Sequence, residues 1–474
     1  MPGQLAINPR KAATTLRVVV VGGGLAGIAS AFALQRAGHS VTVLERSDGT
    51  ARSRGGIRSP PNMTRILNHW GLAPALAKAA VKCPQFLTTR ATTAEGELLG
   101  LVQLHEDFLV DLMADFIFIQ HGDLQSMLLA LATREGVEFR YNAHVASVDC
   151  DSVSVTLATG ERLYADLVVG ADGPDSLVRT EVVGEEITGK RDTHLSLTLA
   201  IPTDLMRDDD DLRPLTEDGN WWVWLGPSLL FHGSLVAGRK EFSIIIGLQL
   251  PPEELEKWDE TWDTDFPIEH FDIDWSKYDI RVQKLMKLAR KVTPTVHIKR
   301  PILDSFVCER ARIVIVGEAA HPLVPAGQHN AGLTIEDAET LGALFSRLQH
   351  RSQIPRMLAA YEEIRQPRCS YAQDWELRKR AMMSAPAGAK QKARDAGLRR
   401  MMAYNDWTHI SEKRFREMWG DEMEMFSYFA TEQVEDWWTK WGSLLARDSG
   451  GGNVPMTPTV EVSVSSGQQR SAFY

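Results

Sequence analysis

Residues 17–45 read RVVVVGGGLAGIASAFALQRAGHSVTVLE, and their order decides the fold. Four valines make a β-branched run suited to a buried strand, while LAGIASAFALQRAGH has the apolar spacing of a helix, with Gly38 where a left-handed C-terminal cap is needed. The second β-branched run, SVTVL, then predicts another strand, giving a strand–turn–helix–strand unit. The turn itself is Gly22-x-Gly24-x-x-Gly27. Gly22 permits the tight turn, Gly24 lets backbone approach a pyrophosphate, Gly27 allows close helix packing, and the helix N-terminus favours the anion. Glu45 ends the second strand, 18 positions after Gly27, where a carboxylate accepts hydrogen bonds from ribose hydroxyls. The unit is therefore read as a dinucleotide-binding turn, which FAD and NAD share.

Composition limits the rest. A chain of 474 residues, 44% hydrophobic, buries a large core in more than one structural unit. Its formal charge of −10 offers no basic face for a phosphate backbone, which argues against nucleic acid as a partner. Cys83, Cys150, Cys308 and Cys369 are far apart and form no CxxC or Cys/His cluster, so a reducing, cytoplasmic setting and no metal site are expected. The polar lead MPGQLAINPRKAATTLR does not read as a signal peptide, and no window approaches the ~18 uncharged apolar residues of an integral membrane segment.

Along the chain, HGDLQSMLLALATREG predicts a helix, and 145–170 a β-meander returning to a buried strand. Residues 191–285 turn β-rich, with THLSLTLAIP, NWWVWLGPSLLFHGS and EFSIIIGLQL, around an acidic solvated loop. The strand ARIVIVGEAAH and helix TIEDAETLGALFSRL restore α/β character. The expected division is 15–190 and 286–354 for one discontinuous α/β domain, 191–285 for an inserted sheet domain, 355–445 for C-terminal helices and 446–474 for a disordered tail. In WGDEMEMFSYFATEQVEDWWTKW aromatic and apolar residues recur at helical spacing, predicting packing on the parent domain or on a second copy in a homodimer.

Two later segments repeat the strand-then-turn pattern. ADLVVGADGPDSLVR (165–179) ends an apolar strand at Asp172 and Gly173 and places Arg179 on the following helix; ARIVIVGEAAHPLVPAGQHNAGLTIEDA (311–338) does the same later. With the first glycine turn, these three ordered motifs resemble the class A flavoprotein monooxygenases, such as salicylate and 4-hydroxybenzoate hydroxylases and fungal natural-product oxygenases, over roughly residues 15–380. The resemblance implies a Rossmann-like FAD-binding domain, an inserted β-sheet substrate domain that covers the flavin, and a helical C-terminal region.

It also implies roles residue by residue. Asp172, Gly173 and Arg179 would serve FAD and NAD(P)H. Glu318 stands where the family's GDAAH motif carries the aspartate of the ribityl chain. Pro325, Gly327 and Gln328, then Asn330 and Ala331 on the next helix, match the loop whose helix dipole stabilises the reduced ring, with His329 replacing a glycine close to the flavin. His121 replaces an arginine in the segment with Leu124 that contacts the phosphates; being only partly charged, it would attract them weakly and pH-dependently, and Arg46, Arg52, Arg54 or Arg58 would compensate. Gly55, Gly56 and Ile57 would give backbone contacts near the isoalloxazine. Trp222 and Trp224 are expected at the substrate, and His232 as a pocket base beside Pro325 and His329.

The implied reaction is reduction of FAD by NADH or NADPH, addition of O2 at flavin C4a, and delivery of one oxygen to an aromatic or natural-product substrate, by hydroxylation, decarboxylative hydroxylation or epoxidation. Two alternatives stay open: a flavoprotein dehydrogenase or cyclase, and a non-catalytic flavoprotein, the latter prompted by His121, Glu318 and His329 together.

Overall fold

The computed structural model describes residues 10–50, 55–258, 264–325, 327–402 and 411–447. Expectations for Arg52, Arg54 and the tail beyond residue 447 lie outside the described residues. The opening unit forms strand Arg17–Val21, helix Leu25–Arg36 and strand Ser40–Leu44, with Gly38 at φ +100° just past the helix. These strands belong to a five-stranded parallel sheet with spatial order Ile313–Ile315, Leu167–Gly170, Arg17–Val21, Ser40–Leu44, Glu138–Arg140. The chain builds outward on one side of Arg17–Val21, then returns to the other side. Such a reversal opens a crevice at the strands' C-terminal ends, between Val21 and Gly170. The inner strands are valine-rich because they are buried on both faces.

The meander over 145–164 forms three antiparallel strands, Val145–Asp149, Ser154–Leu157 and Arg162–Tyr164, before the buried strand Leu167–Gly170.

A second, eight-stranded sheet runs Phe266–Pro267, Lys291–Lys299, Lys190–Pro202, Glu241–Gln249, Leu229–Val236, Trp221–Gly226, Gln85–Arg90, Leu98–Gln103. Residues 191–285 thus supply its centre, and the sheet also takes in Gln85–Arg90 and Leu98–Gln103 from before that segment and Lys291–Lys299 from after it. Without Gln85–Arg90, paired parallel to it, Trp221–Gly226 would be an unprotected edge. Alternation sets the two faces apart. Leu197, Trp222, Trp224, Phe231 and Ile244 pack with Val282 and Leu285 of helix Ile280–Leu288 into a core of their own. Trp221, Val223, Leu225 and Val236 face the other way and join the core of the parallel-sheet layer.

Beyond residue 353 come helices Ile354–Met383, Ala389–Met402, Glu412–Phe426 and Ala430–Arg447. Met425, Phe426, Ala430 and Val434 are buried in the principal core, so the aromatic C-terminal stretch docks on its own parent domain. Among the described residues no helix is long and apolar enough to cross a membrane.

Candidate cofactor and substrate site

The three motifs meet at the crevice. A Cβ on Gly22 would lie 2.4 Å from the Ala171 carbonyl oxygen, and one on Gly27 only 1.8 Å from the oxygen of Gly22, so glycine is required at both. Gly317, at φ +59°, would put a Cβ 2.7 Å from that of Ala26, which brings the third motif against the first helix. Gly24 and Gly173, by contrast, have nothing within 4 Å of a built Cβ, leaving open backbone where a pyrophosphate would approach. Glu45 Oε2 accepts a hydrogen bond from Gly23 N–H at 2.6 Å, which holds its carboxylate at the glycine turn. Arg46 follows it, exposed.

Arg179 locks the second motif to the third. Its guanidinium donates to the carbonyls of Ala319 (2.7 Å), Glu318 (2.6 Å) and Pro174 (2.6 Å), and the residue is buried. It therefore shapes the loops, leaving the Glu318 side chain exposed at their rim. Asp172 accepts from Ser176 Oγ and from Val178 N–H, capping helix Leu177–Val183 beside Gly173.

Behind the third motif lies a buried ion network that sequence reasoning did not find. Asp337 accepts from Gly317 N–H at 2.9 Å and sits 2.6 Å from His321 Nε2. Arg365 bridges Asp337 and Glu336 at 2.8 Å each, and Arg368 adds two bonds to Glu336. Asn62 Nδ2 donates to Glu336 as well. Opposite charges hold the Asp337 carboxyl low, at about 2, against the upward push of burial, and hold His321 well above its ordinary range. The signal available was the spacing of Arg365 and Arg368, one turn apart on one helix.

Where the second sheet approaches these loops, its facing residues are partly accessible. Ser196 and Thr198 alternate with buried Leu195, Leu197 and Leu199, and Leu230 and His232 alternate with Leu229 and Phe231. Gly56 N–H donates to Ser243 Oγ at 2.8 Å, and Ile57 pairs with Ile119, so the segment expected at the isoalloxazine is tied to the sheet. The next residue, Arg58, donates to the Gly327 carbonyl at 3.1 Å and lies over the ring of Trp221 at 5.3 Å. His232 stacks on Trp221 at 5.4 Å. Glu376, from helix Ile354–Met383, accepts from His329 N–H at 2.8 Å in the same loop. Burial lowers Arg58 to about 10 and raises Glu376 to about 7, each partly offset by the other's charge. Burial and Arg58 together hold His232 well below the ordinary histidine range, so its imidazole is neutral. Asn330 Nδ2 donates to Val324 O at 3.0 Å and closes the turn around Pro325 and Gly327; Gln328 and Ala331 are partly accessible beside it.

Several expected residues are placed otherwise. Trp222 and Trp224 stack on each other on the far face of the sheet, where Trp224 Nε1 donates to Asp279 at 2.9 Å; the period of two puts Trp221 on the cleft face instead. His329, fully buried, stands at the N-cap position of helix Asn330–Phe345 and packs its ring edge-on against Trp375 at 4.9 Å and near Phe426. The enclosure and the nearby cations keep it neutral. His121 is lowered by burial to about 4, so the partial positive charge expected of it at neutral pH is absent. Leu124 is a core residue of helix His121–Arg134. Arg58 was legible only as a spare phosphate partner, Trp221 could not be told from Trp222 and Trp224 before the register was known, and Glu376 carried no signal.

Comparison with known proteins agrees with this geometry. The family described as FAD binding domain matches residues 15–376. The FAD-dependent monooxygenase OpS4 of Beauveria bassiana (strain ARSEF 2860) is 29% identical over 386 residues, covering 81% of this chain and 89% of its own. The 3-amino-4-hydroxybenzoate 2-monooxygenase PtmB3 of Streptomyces platensis is 30% identical over 400 residues, 83% of this chain and 95% of its own. Among solved structures, a salicylate hydroxylase substrate complex superposes with a TM-score of 0.69 at 18% identity, covering 89% of this chain and 97% of that one. CtdE in complex with FAD and a substrate gives 0.72 at 17%, covering 91% and 100%. With its glycine turn, its Arg179 clamp and its covering sheet in these positions, the chain belongs to the class A FAD-dependent monooxygenases.

Proposed function

We propose that the protein uses NADH or NADPH and O2 to insert one oxygen atom into an aromatic or natural-product substrate, by hydroxylation, with or without decarboxylation, or by epoxidation. The observation that carries this reading is the meeting of three cofactor loops with a partly accessible, polar patch of the second sheet. Bound FAD supplies the electron transfer and the activation of dioxygen. The Gly22–Gly27 turn would hold the pyrophosphate, Glu45 the ribose, and Glu318 the ribityl chain, with Asp172 and Gly173 shaping the loop between them. Gly56, Ile57 and the Pro325–Gln328 loop would flank the ring, followed by Asn330 and Ala331 at the helix start. The relatives named as hydroxylases of 3-amino-4-hydroxybenzoate and of hispidin support a hydroxylated aromatic substrate.

The protein's own contribution is positioning and exclusion of water. His232, kept neutral, offers a ring nitrogen to a substrate hydroxyl and orients it without holding a charge of its own. The sheet closes the cleft through Gly56 to Ser243. The test is FAD-loaded protein with NADH or NADPH, a panel of phenols, and 18O2. Substrate-stimulated nicotinamide oxidation with 18O in the product is expected; product without 18O would point to a dehydrogenase or cyclase instead.

A further inference from the structure

The fold brings together two of the four cysteines, although they lie far apart in sequence. Cys150 begins the turn after strand Val145–Asp149, and Cys308 opens the tight turn before strand Ile313–Ile315. Both are free thiols, and their sulfurs share a hydrogen bond. Each residue is also held by its backbone. Cys150 N–H donates to Glu181 Oε1 at 3.0 Å; Cys308 N–H donates to the Ile313 carbonyl at 3.0 Å, and its own carbonyl accepts from Ala311 N–H at 2.7 Å. Arg310 pairs with Asp151 at 2.9 Å and so joins one turn to the other beside the sulfurs. The two thiols therefore meet in a fixed frame, at an open depression lined by Cys150, Asp151, Val153, Arg310 and Arg312.

The two sulfurs differ in access. Cys150 is partly exposed, whereas Cys308 is 3% exposed. The hydrogen bond from Cys150 holds the Cys308 thiol below the ordinary thiol range against burial, and the backbone N–H groups of Arg312, Ile313 and Arg310 add to it. The pair gives up its first proton readily, and the one that remains is shared between the sulfurs. The other two cysteines are enclosed. Cys83 lies against the Gln85 carbonyl, with burial pushing its thiol well up, and Cys369 lies against Arg365.

We propose that Cys150 and Cys308 form a redox-modification site, which hydrogen peroxide closes into a reversible disulfide. A flavoprotein that activates dioxygen releases this oxidant whenever the oxygen goes undelivered. With the shared proton on Cys308, the exposed Cys150 sulfur attacks one peroxide oxygen as thiolate. The O–O bond breaks, and the departing hydroxide takes a proton from solvent and leaves as water. The Cys308 sulfur then attacks the Cys150 sulfenic acid: the S–S bond forms, the S–O bond breaks, and hydroxide leaves with the Cys308 proton as a second water. Two thiols have lost two electrons, and one peroxide has become two waters.

The new bond bears on the cofactor loops. Glu181, which holds Cys150, shares helix Leu177–Val183 with Arg179, while strand Ile313–Ile315 leads from the Cys308 turn into Gly317. A Cys150–Cys308 link thus fastens from outside the second and third motifs that Arg179 clamps from inside, and FAD release slows.

The experiment exposes FAD-loaded protein to hydrogen peroxide, blocks the remaining thiols, and maps peptides by mass without reductant. Titratable thiols are expected to fall from four to two, the chain to become two hydrogen atoms lighter, and the Cys150 and Cys308 peptides to be found linked, with dithiothreitol reversing all three. Release of FAD, followed by flavin fluorescence, slows by about three-fold or more in the oxidised protein. Cys150→Ser and Cys308→Ser each lose the link and the peroxide effect on release, and both keep the release rate of the reduced protein. Four thiols surviving peroxide, a sulfinic acid on Cys150 without a link, a link that takes in Cys83 or Cys369, or equal release from oxidised and reduced protein overturns the proposal. The mapping uses the unaltered chain, so it decides even where a serine variant misfolds.

Discussion

Arg179 illustrates how a single side chain serves a cofactor it need not touch. Its three carbonyl acceptors, of Pro174, Glu318 and Ala319, lie on two loops far apart in sequence, and its burial makes each bond costly to leave unmade. Arg179→Met is expected to weaken FAD binding by about 2–3 kcal/mol, which is a 30- to 150-fold rise in Kd, measured by quenching of flavin fluorescence. Trp224→Phe should behave differently. It removes one bond to the buried Asp279, which keeps Arg281, and should lower stability by about 1–3 kcal/mol in denaturant titration while leaving ligand discrimination unchanged. Two buried groups give stability opposite slopes with pH. His121 is depressed to about 4, so its contribution is present above the ordinary histidine range and is lost as pH falls from about 6.5 toward 4. Glu376 is raised to about 7, so its contribution is complete below the ordinary carboxyl range and is lost as pH rises toward 7. Glu376→Gln should therefore gain on the native protein between pH 5 and 7.5, by at most about 3 kcal/mol, in thermal unfolding followed across that range.

At the scale of elements, the helix Asn330–Phe345 is where the cofactor loops are fastened from behind. Glu336 and Asp337 are fully enclosed, and Arg365, Arg368, His321, Asn62 and the Gly317 N–H make that enclosure tolerable. Arg365→Met leaves two carboxylates short of a cation and should cost about 3–5 kcal/mol, seen as a lowered unfolding midpoint with FAD retention lost in parallel. The first glycine unit was legible in the sequence because its determinants are local: valine runs, a glycine turn and a capped helix each state their own conformation. The tryptophans were not. Trp221, Trp222 and Trp224 differ only in parity, and which parity faces the cleft is set by pairing with Leu229–Val236 and Gln85–Arg90, far away in the chain. The enclosure of His329 was equally hidden, since it depends on Trp375 and Phe426 from helices that follow.

Over the whole molecule, the order of strands reveals a chain that leaves the parallel layer more than once. The α/β character and its return after residue 310 were readable from alternating strand and helix patterns; the full membership of the second sheet was not, because Gln85–Arg90 and Leu98–Gln103 look like part of the layer that surrounds them in sequence. The C-terminal helices complete the same core. Arg368 donates to the carbonyls of Glu424 and Met425, and Arg65 to that of Tyr428. Ending the chain after Met402 would strip Met425, Phe426, Ala430 and Val434 from that core, and insoluble or flavin-free protein is the expected result of expressing it. A truncation before Trp407, which itself lies outside the described residues, is expected to do the same.

The interleaving of the eight-stranded sheet also bears on how such enzymes diversify. Three stretches, 85–103, 190–249 and 266–299, must come together before the cover over the cleft exists. A recombinant that swaps only the central stretch for that of a relative inherits foreign neighbours on both flanks, Gln85–Arg90 against Trp221–Gly226 and Lys291–Lys299 against Lys190–Pro202. Transplanting selectivity between members therefore calls for moving all three at once, or for changing single side chains on one strand face and leaving the weave intact.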